Sequence, residues 1–107
     1  MSDPITTASF LGLSGALLGI GLFGILTRRN FILLLIAIEI AINAAVLNFV
    51  YFAAFASTPA SGLNGQSAAV VLVGLAATEI AVGLAIVLAL NRLRGSINVT
   101  EATSLRL

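Results

Sequence analysis

The stretch from Phe31 to Asn48, FILLLIAIEIAINAAVLN, decides the fold of this chain. It is apolar enough to cross a lipid bilayer, and yet it holds Glu39 and, four residues later, Asn43. A run of about 18 or more residues with few charges predicts a transmembrane helix. Because one carboxylate at the centre of such a helix opposes insertion by ~3 kcal/mol, the presence of Glu39 requires a reason.

The whole chain has the composition of a membrane protein. Of its 107 residues, 60% are hydrophobic and 8% are charged, whereas about 25% of the residues in soluble domains are charged. Three runs, at about 5–27, 31–56 and 67–90, are long enough to span a hydrocarbon layer of ~30 Å. We therefore predict an all-α integral membrane protein, with residues 1–107 as a single three-helix domain and a tail at 91–107. This leaves no room for a soluble catalytic domain.

Several kinds of chemistry are excluded by residue type. The sequence has no cysteine and no histidine, which rules out disulfides, thiolate or imidazole metal sites and Ser-His or Cys-His catalysis. We expect no catalytic residue and no metal site in this chain. No basic patch for a nucleic acid is present, so none is expected as a partner. The first run lacks the basic start and the cleavage pattern of a signal peptide, which predicts a retained helix.

The basic residues predict the topology. All five are arginines: Arg28, Arg29, Arg92, Arg94 and Arg106. By the positive-inside rule, the turn at 28–30 and the C-terminus lie on the cytoplasmic or matrix side, and the N-terminus and the loop at 57–66 lie outside. That loop, STPASGLNGQ, is rich in turn-forming residues, which predicts an antiparallel hairpin of the second and third helices. All three helices are predicted to pack as an antiparallel sheaf.

Small residues in the first and third helices suit close packing. Gly15 and Gly19 fit the small-xxx-small pattern that lets helix backbones approach one another. The third helix has alanines at four-residue spacing: Ala77, Ala81, Ala85 and Ala89. Helix packing is the predicted use of these faces. More than one such face in so small a chain points to partner subunits.

Glu39 and Glu79 are predicted to lie at similar depths in the membrane. Glu39 follows Arg28 by eleven residues and Glu79 precedes Arg92 by thirteen, which places both ~16–20 Å from the basic edge. Together, two such buried carboxylates oppose insertion by ~6 kcal/mol. Since a medium of low dielectric favours the neutral carboxyl, buried glutamates can take up and release protons near neutral pH. The pair therefore predicts a proton relay.

Neighbouring polar groups fit the relay, but alternatives remain. Asn43 lies one turn from Glu39 on the same face, where it can hydrogen-bond the carboxyl or hold a water. Thr78 adjoins Glu79 but projects ~100° away, so it is a weaker candidate. The glutamates could instead stay protonated and join helices by hydrogen bonds, worth only ~0.6 kcal/mol on average in membranes, or bind a cation such as Na⁺. Arg28 and Arg29 either anchor the topology or set the potential near a proton entry path.

A resemblance to a known family rests on the order of four motifs. These are LTRRN at 26–30, IEIAIN at 38–43, Gly-Gln at 65–66 and AATEIAVGLAIVLALNRLRGSINV at 76–99. The chain resembles, from about Gly12 into the tail, the small three-helix subunit K of proton-pumping NADH:quinone oxidoreductase, respiratory complex I. The mitochondrial counterpart is called subunit 4L.

The resemblance implies a function and a set of partners. Glu39 and Glu79 would belong to a polar axis that conducts protons, and Arg28 and Arg29 would form the family's basic turn. Other membrane-arm subunits would be partners in a bacterial cytoplasmic or mitochondrial inner membrane, and they and further subunits would bind NADH, FMN, iron–sulfur clusters and quinone. Thr78 stands where the family usually has alanine, and the 57–64 loop is long for the family.

Rival classes fit the sequence less well. The small subunit of multisubunit Na⁺/H⁺ antiporters resembles this chain in length and topology, but its second helix generally lacks the glutamate. Related membrane-bound complexes remain open. Rotor subunits of proton-driven synthases have two helices and one carboxylate, and small multidrug exporters usually have four helices. A purely structural assembly subunit would leave both glutamates unexplained.

Overall fold

The described part of the chain is almost entirely helical. A computed structural model describes residues 3–95 and 98–102. They form α1 (Pro4–Thr27), α2 (Phe31–Ala54), α3 (Pro59–Arg94) and the short α4 (Val99–Ala102). The first three are long and apolar enough to cross a membrane, so the prediction of three helices able to span a membrane is confirmed.

Short polar residues begin the first two helices. Asp3 caps α1 by accepting a hydrogen bond from the backbone N–H of Ile5, and Pro4 follows it in the first turn, where no N–H partner is lost. Asn30 caps α2 with its Oδ1, which accepts from the N–H groups of Ile32 at 2.9 Å and Leu33 at 3.4 Å. The turn between α1 and α2 therefore needs only residues 28–30.

The third helix is longer than predicted. It begins at Pro59, so the prediction of a loop over 57–66 is wrong from that residue onward. Thr58 and Ser61 form a capping box, in which each side chain accepts from the backbone N–H of the other. The helix continues to Arg94, past the predicted end at residue 90, and its 36 residues measure ~54 Å. This exceeds a hydrocarbon layer of ~30 Å, so part of α3 extends beyond it or α3 is tilted.

Glycines allow α1 to approach α2 closely. A Cβ added at Gly21 would lie 2.8 Å from the Cβ of Ala41, and one added at Gly24 would lie 2.6 Å from the Cβ of Ala37. Real Cβ atoms do not approach so closely, so only glycine fits this packing. The predicted pair Gly15 and Gly19 has open space instead, so the prediction that they pack helices together is wrong within this chain.

Further contacts follow one order along these two helices. The hydroxyl of Thr7 is hydrogen-bonded to that of Tyr51 at 2.6 Å. About two turns further along α1, the hydroxyl of Ser14 donates to the carbonyl oxygen of Ala44 at 3.0 Å. Gly21 then meets residues 37 and 41. Residue numbers rise along α1 as they fall along α2.

The second helix lies between the other two. A Cβ added at Gly65 would lie 2.7 Å from the Cβ of Ala53, and one added at Gly83 would lie 2.5 Å from a methyl carbon of Leu35. Helix α2 thus contacts both α1 and α3, whereas α1 and α3 share at most marginal contacts. The chain measures 57 × 24 × 17 Å, so the helices form a flat row.

A flat row buries few side chains. Among the described residues, the buried apolar ones lie between the helices and are mostly small: Ala37, Ala44, Tyr51, Ala53, Ala69, Ala76 and Val87. Helix packing in membranes depends on such small residues, because lipid offers no hydrophobic force between helices. The four-residue alanine stripe predicted for α3 is exposed instead. Its outer face is free to meet lipid or another subunit.

Candidate functional site

Glu39 and Glu79 lie at the same level on two contacting helices. The contact that sets their register is between Leu35 of α2 and Gly83 of α3. Glu39 follows Leu35 by four residues, and Glu79 precedes Gly83 by four, so each lies ~6 Å from this contact along its helix. The contact between Ala53 and Gly65 has the same register. The two glutamates are therefore at the same level on α2 and α3, about one turn from the contact between Leu35 and Gly83.

Neither glutamate is buried within this chain. Glu39 is half-buried, and Glu79 is exposed. Burial of the two glutamates in the membrane stays a prediction. Between the described helices of this chain neither is buried, because the helices lie in a row with α2 in the middle. With three helices in a row, each helix keeps an open face, and both glutamates lie beside the faces that pack together. Whatever surrounds their carboxyl groups comes from lipid, water or another chain.

The predicted polar neighbours do not bind these carboxyl groups. Asn43 is exposed on the turn after Glu39, and no hydrogen bond joins the two side chains. The hydroxyl of Thr78 donates to the carbonyl oxygen of Leu75, within its own helix, at 2.7 Å. Across residues 3–95 and 98–102, neither glutamate forms a hydrogen bond or an ion pair. The carboxyl groups are thus free to interact with groups from outside the chain.

Arg28 and Arg29 are exposed in the turn between α1 and α2. The backbone N–H of Arg28 donates to the carbonyl oxygen of Gly24 at 3.0 Å and closes the last turn of α1. Within the described ranges, the guanidinium groups of both arginines lack hydrogen bonds and ion pairs. Eleven residues separate Arg28 from Glu39, a rise of ~16 Å along a helix, so the arginines do not neutralise that glutamate.

The basic turn is bound by residues that follow α3, a contact that the sequence did not predict. The backbone N–H of Val99 donates to the carbonyl oxygen of Arg29 at 2.6 Å, and Asn98 pairs with Asn30 in an isolated antiparallel bridge. The residues after α3 therefore return to the turn between α1 and α2. Gly95 makes this return possible, because its φ of 68° is accessible to glycine at little cost. Because this contact joins backbone groups, it does not depend on residue type and could not be predicted from the sequence.

Sequence reasoning also missed the polar contacts between α1 and α2. Ser14 and Tyr51 are both buried at this contact. The ring of Tyr51 stacks on that of Phe10, with centroids 4.6 Å apart. On the side of α2 that faces α3, Asn48 lines a cavity with Gly65, and its buried Oδ1 has no hydrogen-bond partner among the described residues. In the sequence these residues are single polar residues in otherwise apolar helices. That pattern indicates a polar contact but not the residue that makes it.

The described ranges contain no cluster of side chains that could coordinate a metal ion. No group of three or more His, Cys, Asp and Glu side chains is found there. The sequence itself has neither cysteine nor histidine. The chemistry that the two glutamates offer is therefore proton uptake and release, hydrogen bonding and attraction of a cation.

These features define a class: an integral membrane protein with three apolar helices and a carboxylate at the middle of two of them. Ionisable residues at such positions are costly and mark proton or ion pathways in many membrane proteins. Over residues 9–107 the chain matches the family described as NADH-ubiquinone/plastoquinone oxidoreductase chain 4L. The chain belongs to this family.

Curated relatives match along most of their lengths. The chain is 40% identical over 106 residues to NADH-quinone oxidoreductase subunit K of Deinococcus radiodurans, with 99% of each chain covered. It is 45% identical over 92 residues to the subunit K of an Anaeromyxobacter species, with 86% of this chain and 89% of the relative covered. The corresponding protein of Geobacillus kaustophilus is 41% identical over 102 residues, covering 95% and 99%. The resemblance found in the motifs is thus confirmed, and the chain is an integral membrane protein of bacterial or mitochondrial membranes.

Proposed function

We propose that this chain is a membrane-arm subunit of NADH:quinone oxidoreductase and contributes Glu39 and Glu79 to a proton relay coupled to quinone reduction. One observation carries the proposal: two carboxyl groups lie at the same level on contacting apolar helices and have no partner among the described residues. A structural pair would be expected to hydrogen-bond within the chain. Family membership supports the assignment to this enzyme complex.

The exchange of protons follows from the incomplete burial of the two carboxyl groups, Glu39 being half-buried and Glu79 exposed. Facing lipid or apolar side chains, a carboxyl group favours its neutral form. When water or a cation from a neighbouring subunit reaches it, the anion is favoured and the proton can leave. A change in these surroundings during turnover would therefore load and unload each glutamate.

The supporting residues have smaller roles. Asn43, one turn from Glu39, offers an amide to a bridging water. Because Thr78 donates its hydroxyl proton within its helix, its oxygen remains an acceptor beside Glu79. Arg28 and Arg29 anchor the topology and raise the positive potential at one membrane surface, which affects proton entry.

The proposal includes an orientation and a set of partners. The N-terminus and the link between α2 and α3 lie outside, the basic turn and the C-terminus lie on the cytoplasmic or matrix side, and the helices run antiparallel. The order of contacts between α1 and α2 and between α2 and α3 supports this arrangement. Other membrane-arm subunits cover the faces of α2 and α3 that carry the two glutamates. NADH, FMN, iron–sulfur clusters and quinone are bound by partner subunits, and this chain performs no redox chemistry.

The experiment compares Glu39→Gln and Glu79→Gln with the wild type in the assembled complex, in sealed vesicles. Glutamine preserves size and hydrogen bonding but cannot release a proton. We expect both variants to assemble and to lose at least tenfold in proton pumping together with coupled quinone reduction. The matched control is Asp3→Asn, which removes a carboxylate outside the spans while keeping the helix cap, and it should pump normally.

The result against the proposal is equally definite. If both glutamine variants assemble, reduce quinone and pump protons at wild-type rates, the glutamates serve helix association and the chain is a structural assembly subunit. If pumping depends on Na⁺ in the wild type and loses that dependence in the variants, the pair binds a cation. Assembly is followed on native gels, so a failure to assemble is not counted as a loss of pumping.

A further inference from the structure

A groove on the outer surface of α1 and α2 ends at an arginine. Its space of about 300 Å³ lies between the two helices, and its lining comprises Gly24 and Ala37 at the bottom and larger apolar side chains above them. Arg28 lines the end nearest the basic turn. The larger side chains are Ile20, Phe23, Leu33, Ile36 and Ile40. The groove exists because the small residues that bring the helices together leave a furrow above their contact.

The groove has the dimensions of one lipid chain in one leaflet. From Arg28 to Ile20 the helix rises ~12 Å, and one leaflet of the hydrocarbon layer is ~15 Å thick. An apolar chain lying in the groove would therefore begin at the membrane surface and end near the middle of the bilayer. The wall is wholly apolar beyond Arg28, so it offers no hydrogen bond to a polar occupant.

The charge at the end of the groove selects the head group. The guanidinium of Arg28 has no ion pair or hydrogen bond within the described ranges, and Arg29 adds a second exposed positive charge. Guanidinium groups bind phosphate through paired N–H donors. Basic sites between transmembrane helices near the membrane surface are suited to anionic phospholipids.

We propose that this groove binds one anionic phospholipid, with the phosphate on Arg28 and an acyl chain along α1 and α2. A zwitterionic lipid would place its own positive charge beside the two arginines, which opposes its binding. A free phosphate ion would gain the contact with Arg28 but none of the apolar contacts. A helix from another subunit would fill the groove without need for an anion at Arg28.

The test uses the assembled complex in phosphatidylcholine vesicles that contain a small fraction of phosphatidylglycerol with a photoreactive diazirine in one acyl chain. After illumination, labelled peptides of this subunit are identified by mass spectrometry. We expect labels on the groove side of α1 and α2. Unlabelled phosphatidylglycerol should compete for them, whereas inorganic phosphate should not. The same diazirine in phosphatidylcholine should label these peptides weakly.

Two matched pairs of variants locate the site. Arg28→Gln should reduce labelling about fivefold, as expected for loss of one basic contact with an anionic head group. Arg29→Gln makes the same change of charge one residue away and outside the groove, so it should reduce labelling less, because only Arg28 is placed to hydrogen-bond the phosphate. Leu33→Trp should also abolish labelling by filling the groove. Its control is Ile32→Trp, because Ile32 is similarly exposed, at 39% against 44%, but does not line the groove.

The opposite results are distinct. Equal labelling of Arg28→Gln and Arg29→Gln, or equal labelling by the two lipids, means that the groove meets bulk lipid and the proposal is wrong. Absence of label here, while other subunits are labelled, means that another subunit covers the groove, which also overturns it. If Arg28→Gln fails to assemble, the tryptophan pair decides. None of these outcomes depends on proton pumping, so the lipid site and the relay are tested separately.

Discussion

Gly21 determines how closely α1 and α2 approach each other. A side chain here would meet the Cβ and backbone nitrogen of Ala41, both at 2.8 Å, and the carbonyl oxygen of Ala37 at 2.9 Å. Two of these three atoms belong to the backbone, which cannot rotate away. We expect Gly21→Ala to cost about 1–3 kcal/mol, the usual range for overpacking, and to lower the temperature at which the solubilised complex loses this subunit.

Gly15→Ala is the matched control for that prediction. It makes the same change in the same helix, but an added Cβ at Gly15 has open space within the chain. We expect a shift of less than about 0.5 kcal/mol, as for surface substitutions away from special features. Comparable losses from both variants would mean that these glycines act through contacts with other subunits, and the packing argument for Gly21 would fail.

The glycines also show how far sequence could locate a contact. The small-xxx-small pattern identified Gly15 and Gly19, whereas the helices meet at Gly21 and Gly24. A motif of small residues indicates a face that permits close approach. Which of several such faces is used depends on the rotation of the helix, and that rotation is set by the partner helix. Sequence patterns of one helix do not contain this information.

For the two glutamates, the sequence predicts the depth but not the burial. Their position in apolar helices and their similar depth follow from residue counts, because helix rise converts sequence distance into depth. Their burial does not, since it depends on how many helices surround them. Glu79 is exposed and Glu39 half-buried because only α2 has neighbours on two sides. The environment that controls their protons is therefore a property of the assembled complex.

At the scale of the helices, hydrogen bonds between hydroxyl groups fix α1 against the far end of α2. Tyr51 is 3% exposed, and its hydroxyl meets that of Thr7 at 2.6 Å. The hydroxyl of Thr7 is also within hydrogen-bonding distance of the carbonyl oxygen of Asp3, at 3.2 Å. In lipid, such an interhelical bond is worth ~0.6 kcal/mol on average and ~1.7 at most.

A double-mutant cycle measures this bond. We expect Tyr51→Phe and Thr7→Val, singly and together, to show a coupling free energy of about 0.6–1.7 kcal/mol in thermal dissociation of the complex. Phenylalanine retains the ring that stacks on Phe10, so the cycle isolates the hydroxyl. The pair Ser9→Ala with Tyr51→Phe is the control, because the hydroxyl of Ser9 donates within α1. Additive effects in both cycles would contradict the contact.

The start of α3 shows where turn residues mislead. Pro59, Gly62 and Gly65 predicted a loop because each is common in turns. Pro59 instead occupies the first turn of the helix, directly after its Thr58 cap, where proline costs no helical hydrogen bond. Gly62 and Gly65 serve contact with α2: a Cβ at either would lie within 3.0 Å of Ala53. A glycine in a helix can thus report close packing rather than an end.

At the scale of the whole chain, the flat row of helices requires other subunits to cover it. A chain of 57 × 24 × 17 Å leaves most of its large apolar side chains exposed, and it also leaves two carboxylates in need of polar surroundings. Lipid is enough to cover the exposed apolar side chains. The two carboxylates require water or polar groups at the level of Glu39 and Glu79, where lipid supplies none. The most specific demand on the neighbouring subunits is therefore made by the two glutamates.

The orientation of the whole chain can be tested with single cysteines, because the sequence has none of its own. An odd number of spans places the two ends on opposite sides, and the backbone contact of Val99 with Arg29 places the C-terminal segment beside the basic turn. By the positive-inside rule that end is cytoplasmic. In bacterial cells, an impermeant maleimide should therefore label Ser57→Cys from outside, whereas Thr100→Cys should be labelled only in inside-out vesicles. Both positions are exposed in the chain, so a failure to label in both preparations would indicate cover by another subunit. Labelling of Thr100→Cys in intact cells would show that the orientation is the reverse of the one proposed. The arginines, with their role in proton entry, would then lie at the opposite surface.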